Sequence, residues 1–250
     1  IEIFTTNYDL LFEHAFEKAN VPFFDGFVGS VAPVFTPEAV EPENIKVYPP
    51  QGWVRLWKIH GSINWYFDKS KTGDIGRIVR LSGWELKPGQ ELIIFPSREK
   101  YIESRKLPFL TFQDRLRRFL NSGECLLIIA GYSFSDEHLN EIIFQGLRSN
   151  PRLAVTVFHY GEKESEGDLF ILPERMVKYG QEHRNLTLYG PDKACIGGLI
   201  APWCKPKSEK EDNKLSSFWD EKSDRFTLGD FECLAKFLGT FLDFQEEHKL

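Results

Sequence analysis

The stretch "IFTTNYDLLFEHAF", residues 3–16, opens as a strand and closes as a helix. Its first residues are apolar and β-prone. Leu10, Leu11, Ala15 and Phe16 then recur at helical spacing, and Asn20 and Pro22 stop the helix. The corner between the two carries Thr5, Thr6, Asn7 and Asp9. A strand that hands over to a helix through such a corner is the opening move of an α/β fold.

Working outward, further apolar runs are "VRLWKI" at 54–59, "ELIIF" at 91–95, "CLLIIA" at 125–130 and "LAVTVF" at 153–158, with "LTLY" at 186–189 weaker. Several are almost continuously apolar and do not alternate. That suits strands covered on both faces, as in parallel sheets. After "CLLIIA", Leu139, Ile142, Ile143 and Leu147 mark a helix from about Asp136 to Asn150. Pro151 ends it, and the next strand follows, so residues 125–158 read as one βαβ unit with a right-handed crossover. The expected fold is α/β: a Rossmann-like, doubly wound, mainly parallel sheet with helices on both faces.

The rest of the chain is organised around these elements. Residues 21–53, rich in Pro, Phe, Val and Gly, read as an excursion with little regular structure. "DKSKTGD" at 68–74 reads as a turn between antiparallel strands, and "KPKSEKEDNK" at 205–214 as a solvated linker. An apolar stripe (Leu228, Phe231, Leu234, Ala235, Leu238, Phe241, Leu242) predicts a C-terminal amphipathic helix, capped by Thr227 and docked on its own core. The expected division is one domain over 1–204, followed by linker and helix over 205–250. Residue 1 already stands inside a strand-like run, so the chain is expected to be the later part of a longer protein.

Composition narrows the function. The net charge is −6, which disfavours broad, sequence-independent nucleic-acid binding. Arg115, Arg117 and Arg118 read as one solvated helix face. Cys125, Cys195, Cys204 and Cys233 form no C-x-x-C pair, so no zinc ribbon is encoded and no metal is expected. Nothing points to a disulfide framework, a signal peptide or an apolar membrane span, and the cytoplasm is the expected compartment.

Ligands of doubly wound sheets bind beyond the carboxyl ends of the strands. Three corners there carry polar groups. One is Thr5, Thr6, Asn7 and Asp9. The second is His60, Gly61, Ser62 and Asn64, in "KIHGSINW". The third is Gly131, Tyr132, Ser133 and Ser135, in "AGYSFSDEH". Each has a plain structural reading. Asn7 or Asp9 caps a helix, His60 bonds to backbone in the core, Gly131 permits a turn, and Ser133 or Ser135 caps the helix from 136. Parallel strands, however, would bring all three corners to one edge of one sheet. Trp53, Trp57 and Trp65 around His60 read as packing.

The three motifs together, "TTNYD" at 5–9, "HG" at 60–61 and "GYS" at 131–133, resemble the sirtuin family in order and approximate spacing, over about residues 1–160. There such elements surround NAD+. The resemblance implies that Asn7 holds a water or the ribose near the anomeric carbon. It also implies that Asp9 orients the nicotinamide side, and that His60 acts as general base. Thr5, Thr6, Gly61, Gly131, Tyr132 and Ser133 would line the dinucleotide, with Gly131 allowing close backbone approach and Ser133 bonding a phosphate or ribose oxygen. Deacylating sirtuins carry a zinc module with two C-x-x-C pairs, which residues 65–105 here replace with aromatics and charges. The family's Gly-rich phosphate loop is expected upstream of Ile1. "TTNYDLLFE", "HGSINW" and "GYSFSDEH" together look like the zinc-free sirtuin-like domains of bacterial anti-phage defence proteins, which hydrolyse NAD+. This likeness implies NAD+ as substrate, nicotinamide and ADP-ribose as products, a homo-oligomer, and control by a HerA-type ATPase partner or a phage-derived trigger. Competing readings are a module that binds NAD+ or a nucleotide derivative without cleaving it, a scaffold, and a protein deacylase. His14 and His138 fall within helices. His159 ends a strand near Gly161 and Glu162, a further candidate for the adenosine end.

Overall fold

A computed structural model describes residues 1–41, 48–68, 77–81, 91–93, 107–163, 170–203 and 217–247. The chain divides into two compact units, residues 1–118 and 119–250. Cys204, the linker 205–214 and the turn 69–74 lie outside the described residues.

The first unit holds strands β1 (Glu2–Thr5), β2 (Phe23–Phe24), β3 (Phe27–Val28), β4 (Val34–Phe35), β5 (Val54–Lys58), β6 (Gly61–Asp68), β7 (Arg77–Arg80) and β8 (Glu91–Ile93), and helix α1 (Leu11–Lys18). Helix α2 (Phe109–Leu120) contains the division between the units. β1, β5 and β2 form a parallel sheet in the order β1-β5-β2. β3, β4, β7, β6 and β8 form an antiparallel sheet. β6 and β7 are the antiparallel pair expected around the 69–74 turn. "ELIIF", in contrast, is not a parallel strand: β8 runs antiparallel to β6. Its partner follows from the turn at His60–Gly61, which carries the chain from β5 straight into the second sheet. Gly61 has φ +94°, a conformation open to glycine at little cost.

The excursion at 21–53 is more ordered than its composition suggests. It contributes β2, β3 and β4, and it places Phe27, Phe35 and Val40 in a core with Trp57, Trp65, Ile78, Phe109 and Phe112. Aromatic rings dominate that core. Phe27 and Trp65 centroids are 5.0 Å apart, and Phe112 lies 5.5 Å from both Phe35 and Trp57. Burying each such ring contributes roughly 2–3 kcal/mol. Trp57 and Trp65 thus serve packing as expected, while Trp53 stays partly exposed.

Arg115 corrects the reading of α2 as a solvated basic face. It is 7% exposed and pairs with Glu2 through both Nε and Nη2. Arg117 and Arg118 do remain at the surface, paired with Asp114 and Glu41. One helix therefore carries one buried and two exposed arginines, because the buried one meets a carboxylate 113 residues away.

In the second unit the strands are β9 (Cys125–Ala130), β10 (Leu153–Phe158), β11 (Glu162–Lys163), β12 (Phe170–Ile171), β13 (Leu186–Tyr189), β14 (Lys193–Ile196), β15 (Leu199–Pro202), β16 (Trp219–Asp220) and β17 (Arg225–Phe226). The helices are α3 (Glu137–Ser149), α4 (Glu174–Glu182) and α5 (Phe231–Glu247). The main sheet has the order β15-β14-β13-β10-β9. Its β9, β10 and β13 are parallel, and β14 and β15 are antiparallel additions. β9, α3 and β10 are the expected βαβ unit. Asp136 caps α3, accepting from the His138 and Leu139 N–H groups. Continuous apolarity did not mean cover on both faces, however: Leu126 and Ile128 of β9 are 58% and 43% exposed.

α5 docks within its own unit, where Leu234 and Phe237 join Phe158, Phe218 and Leu228. Its cap is Asp230, which accepts from the Glu232 and Cys233 N–H groups at 2.9 and 3.1 Å. The expected cap, Thr227, instead donates its hydroxyl to the Phe218 carbonyl. The architecture is mixed α/β with parallel segments. Among the described residues, β1 and β5 share one hydrogen-bonded sheet and β9 belongs to another.

Candidate active site

The first two corners meet through strand pairing. Thr5 of β1 stands opposite Lys58 of β5, and the Ile59 N–H extends the ladder to the Thr5 carbonyl at 2.9 Å. Asn7 and His60 therefore each sit two residues beyond a matched pair, at the carboxyl ends of adjacent parallel strands. The residues between are held locally. Buried Thr5 turns its hydroxyl oxygen to the Asn7 N–H at 3.1 Å. The Tyr8 carbonyl accepts from the Ile63 N–H at 3.0 Å. Asn7 is exposed and His60 is half-buried. Thr6 is half-buried as well, and Gly61, within the turn, is buried.

Asp9 follows its plain structural reading in part. Its Oδ1 accepts the Leu11 N–H at 3.0 Å and so holds the first turn of α1. The second corner is polar below its surface too: Ser62 is fully buried, and Asn64 donates to the Leu81 carbonyl.

Two side chains here escaped the sequence reading. Lys58, 1% exposed, donates to the Asp9 carbonyl, to Glu13 Oε1 at 2.8 Å and to Ser62 Oγ at 3.2 Å. A lysine inside "VRLWKI" was the available signal, since charge in a buried strand demands a partner. Glu13, in the first turn of α1, is that partner.

The third corner lies in the second unit. Gly131 has φ +66° and is exposed. Ser133 is exposed, with its hydroxyl 2.9 Å from that of Ser135. Neither serine caps α3, since Asp136 does. Tyr132 keeps its hydroxyl inside the loop, 2.9 Å from Asn140 Oδ1 and 3.1 Å from the Asp136 carbonyl. Burial and the Asp136 carboxylate push its phenol above the ordinary tyrosine range. Asn140 also donates to the carbonyl of Phe134, a residue at φ +56°. The loop is thus braced from beneath while Gly131 and Ser133 face outward. Arg175 of α4 reaches the Ser133 carbonyl at 3.4 Å and pairs with Glu162.

Beyond β10 lies a cavity of about 300 Å³, lined by Tyr160, Arg225, Phe226, Thr227, Gly229, Asp230 and Cys233. Its size is at the lower end for small-molecule sites. The Arg225 guanidinium stands 5.0 Å from the Phe170 ring and 5.8 Å from that of Tyr160. Gly229 is required by packing: a Cβ there would lie 2.3 Å from the His159 carbonyl oxygen. Sequence reading missed Arg225 because its neighbours come from three separate segments.

His159, beside this cavity, is buried, and its Nδ1 accepts the Gly161 N–H at 2.9 Å. Burial holds it below the ordinary histidine range; Glu162 opposes this and Arg175 reinforces it. A proton on Nδ1 would break that hydrogen bond. The unfolded chain therefore takes the proton more readily, and stability falls as pH drops below about 6.5, the unfolded value. Melting temperatures between pH 7.5 and 5.5 are expected to decline less in His159→Gln than in wild type. Equal declines would remove His159 as a source. The comparison separates it from His183, which burial and Arg148 also hold low.

Among the described residues no group of His, Cys, Asp and Glu is placed to hold a metal ion, and no helix is long and apolar enough to cross a membrane. A family model described as "SIR2-like domain" matches residues 1–183. No curated protein matches the chain.

Proposed function

Since the chain belongs to the SIR2-like domain family, which includes NAD-utilising enzymes, we propose that it hydrolyses NAD+ to nicotinamide and ADP-ribose. The observation that carries this reading is the placement of Asn7 and His60 at matched positions beyond β1 and β5.

The scissile bond joins the ribose anomeric carbon to a cationic nicotinamide nitrogen. The bond breaks with its electron pair going to the ring, so the base leaves neutral and needs no strong acid. Positive charge develops at the anomeric carbon, as in glycoside hydrolysis. Water supplies the new C–O bond, and its proton passes to a base. Asn7, whose amide both donates and accepts, orients that water or the ribose hydroxyls. His60 takes the proton, imidazole being the commonest general base in enzymes. Asp9 shapes the loop by accepting the Leu11 N–H and places a carboxylate near the developing charge. Thr5, Thr6 and Gly61 contour the ribose end. For Gly131, Tyr132 and Ser133 the support is the likeness of "GYS" to the sirtuin loop, which implies close backbone approach at Gly131 and a bond from Ser133 to a phosphate or ribose oxygen.

The setting we propose is cytoplasmic anti-phage defence, with the activity kept under control because unregulated NAD+ hydrolysis would harm the host. Control would come through homo-oligomer assembly, a HerA-type ATPase or a phage-derived trigger. The support is the likeness of "TTNYD", "HGSINW" and "GYSFSDEH" to zinc-free sirtuin-like defence domains. Chromatography of NAD+ incubated with the purified full-length protein tests the chemistry. Equal amounts of nicotinamide and ADP-ribose are expected. Binding of NAD+ without product, with and without candidate partners, would favour a binding module instead.

A further inference from the structure

Lys58 closes β5, and its ammonium is buried among acceptors from both catalytic corners. Its Nζ meets the Asp9 carbonyl, at the end of "TTNYD", and Ser62 Oγ, just past "HG". Ser62 Oγ in turn lies 3.5 Å from the Tyr8 carbonyl. Glu13 Oε1 completes the set at 2.8 Å.

Stability alone does not explain this arrangement. Buried ion pairs are often no better than apolar residues of similar volume. The pair here is also incompletely satisfied, because Glu13 Oε2 is buried without a hydrogen-bond partner. A cation beside the first turn of a helix further opposes the helix dipole. What the ammonium does provide is a junction. The Ile59 N–H to Thr5 carbonyl bond ties the two segments on the strand side. Lys58, Ser62 and the Ile63 N–H to Tyr8 carbonyl bond tie them on the far side. Only Thr6 and Asn7 on one segment, and His60 and Gly61 on the other, stand between these ties.

We propose that Lys58 is a positioning residue whose ammonium sets the spacing of Asn7 and His60. The proposal rests on the NAD+-cleavage reading above. Lys58 touches neither substrate nor reacting atoms. It acts through the Asp9 carbonyl and Ser62, so its loss misplaces the carboxamide and imidazole relative to each other. Misplacement by about 1 Å is enough to cost about 100-fold in rate.

Lys58→Met alone strands a buried Glu13 and confounds folding with function. The test is therefore Glu13→Leu/Lys58→Met in the full chain, which removes both charges. Its urea midpoint is expected at or above that of wild type. Its kcat for nicotinamide release is expected to fall about 100-fold, with KM for NAD+ changing far less. Ser62→Ala, which leaves the ion pair intact, is expected to lower kcat in the same direction. Wild-type kcat in a stable double variant would overturn the proposal, as would wild-type kcat in Ser62→Ala. A wild-type protein that releases no nicotinamide would overturn the NAD+ reading instead. Amide exchange then decides on Lys58 without any activity: faster exchange at Leu11 and Ile63 in the double variant supports the role, and unchanged exchange overturns it.

Discussion

Asn7→Ala is expected to lower nicotinamide release by about 100- to 1,000-fold, the usual cost of losing one well-placed donor at a reacting centre, while barely changing stability. The structural half of this expectation is direct. Asn7 is exposed, and its carboxamide makes no hydrogen bond among the described residues. Its one hydrogen bond among the described residues is from the backbone N–H to Thr5 Oγ1, which alanine keeps. Surface changes of this kind usually stay within about 0.5 kcal/mol, so the melting temperature is expected within about 2 °C of wild type. A side chain that stability does not need, at the carboxyl end of a parallel strand, fits the ligand-contacting role proposed for Asn7. His60→Ala is expected to reduce the rate by about 100- to 10,000-fold. If both groups act on one water, Asn7→Ala/His60→Ala is expected to fall little further than the worse single variant. Activity of Asn7→Ala near that of wild type would remove it from the mechanism.

Arg115→Ala is expected to be among the most destabilising single substitutions in the first unit, at about 3–5 kcal/mol. Arg115 Nε lies 2.9 Å from Glu2 Oε2, and Nη2 bonds the other carboxylate oxygen. The Trp57 indole N–H donates to Glu2 Oε2 at 2.7 Å. The side chains of Arg115 and Glu2 are only 8% and 10% exposed. Removing the guanidinium leaves a buried carboxylate with a single indole donor, and desolvation of that charge dominates the loss. Arg118→Ala is the internal comparison. Its guanidinium, on the same helix, is 53% exposed and pairs with Glu41 at the surface; the expected cost is about 0–1 kcal/mol. Urea denaturation of both variants reads the difference. Similar costs for the two would refute the assignment of Arg115 to a buried pair.

The contrast between those arginines shows where sequence reading stops. All three basic residues of α2 share a local pattern of charge and helix, and nothing within a dozen residues marks Arg115 as buried. Thr227 and Asp230 present the same difficulty on a smaller scale. Both are acceptable helix caps, and the choice depended on the Phe218 carbonyl, which draws the threonine hydroxyl away. β8 was legible as a strand, but its antiparallel pairing with β6 was not. Hydrophobic runs record that a segment is a strand and stay silent about its neighbour.

From the sequence alone came the strands β1, β5, β9, β10 and β13, the helices α1 and α3, and the polar corners that follow β1, β5 and β9. Those features depend on local physics: apolar runs, helical spacing, glycine at turns and proline as a stop. Tertiary structure alone decided that Thr5 faces Lys58, which sets Asn7 beside His60, and that Lys58, Glu13 and Arg115 are buried. Their partners lie 45 to 113 residues away along the chain. A buried charge is stable only once such a partner arrives, and folding, not local pattern, brings it there.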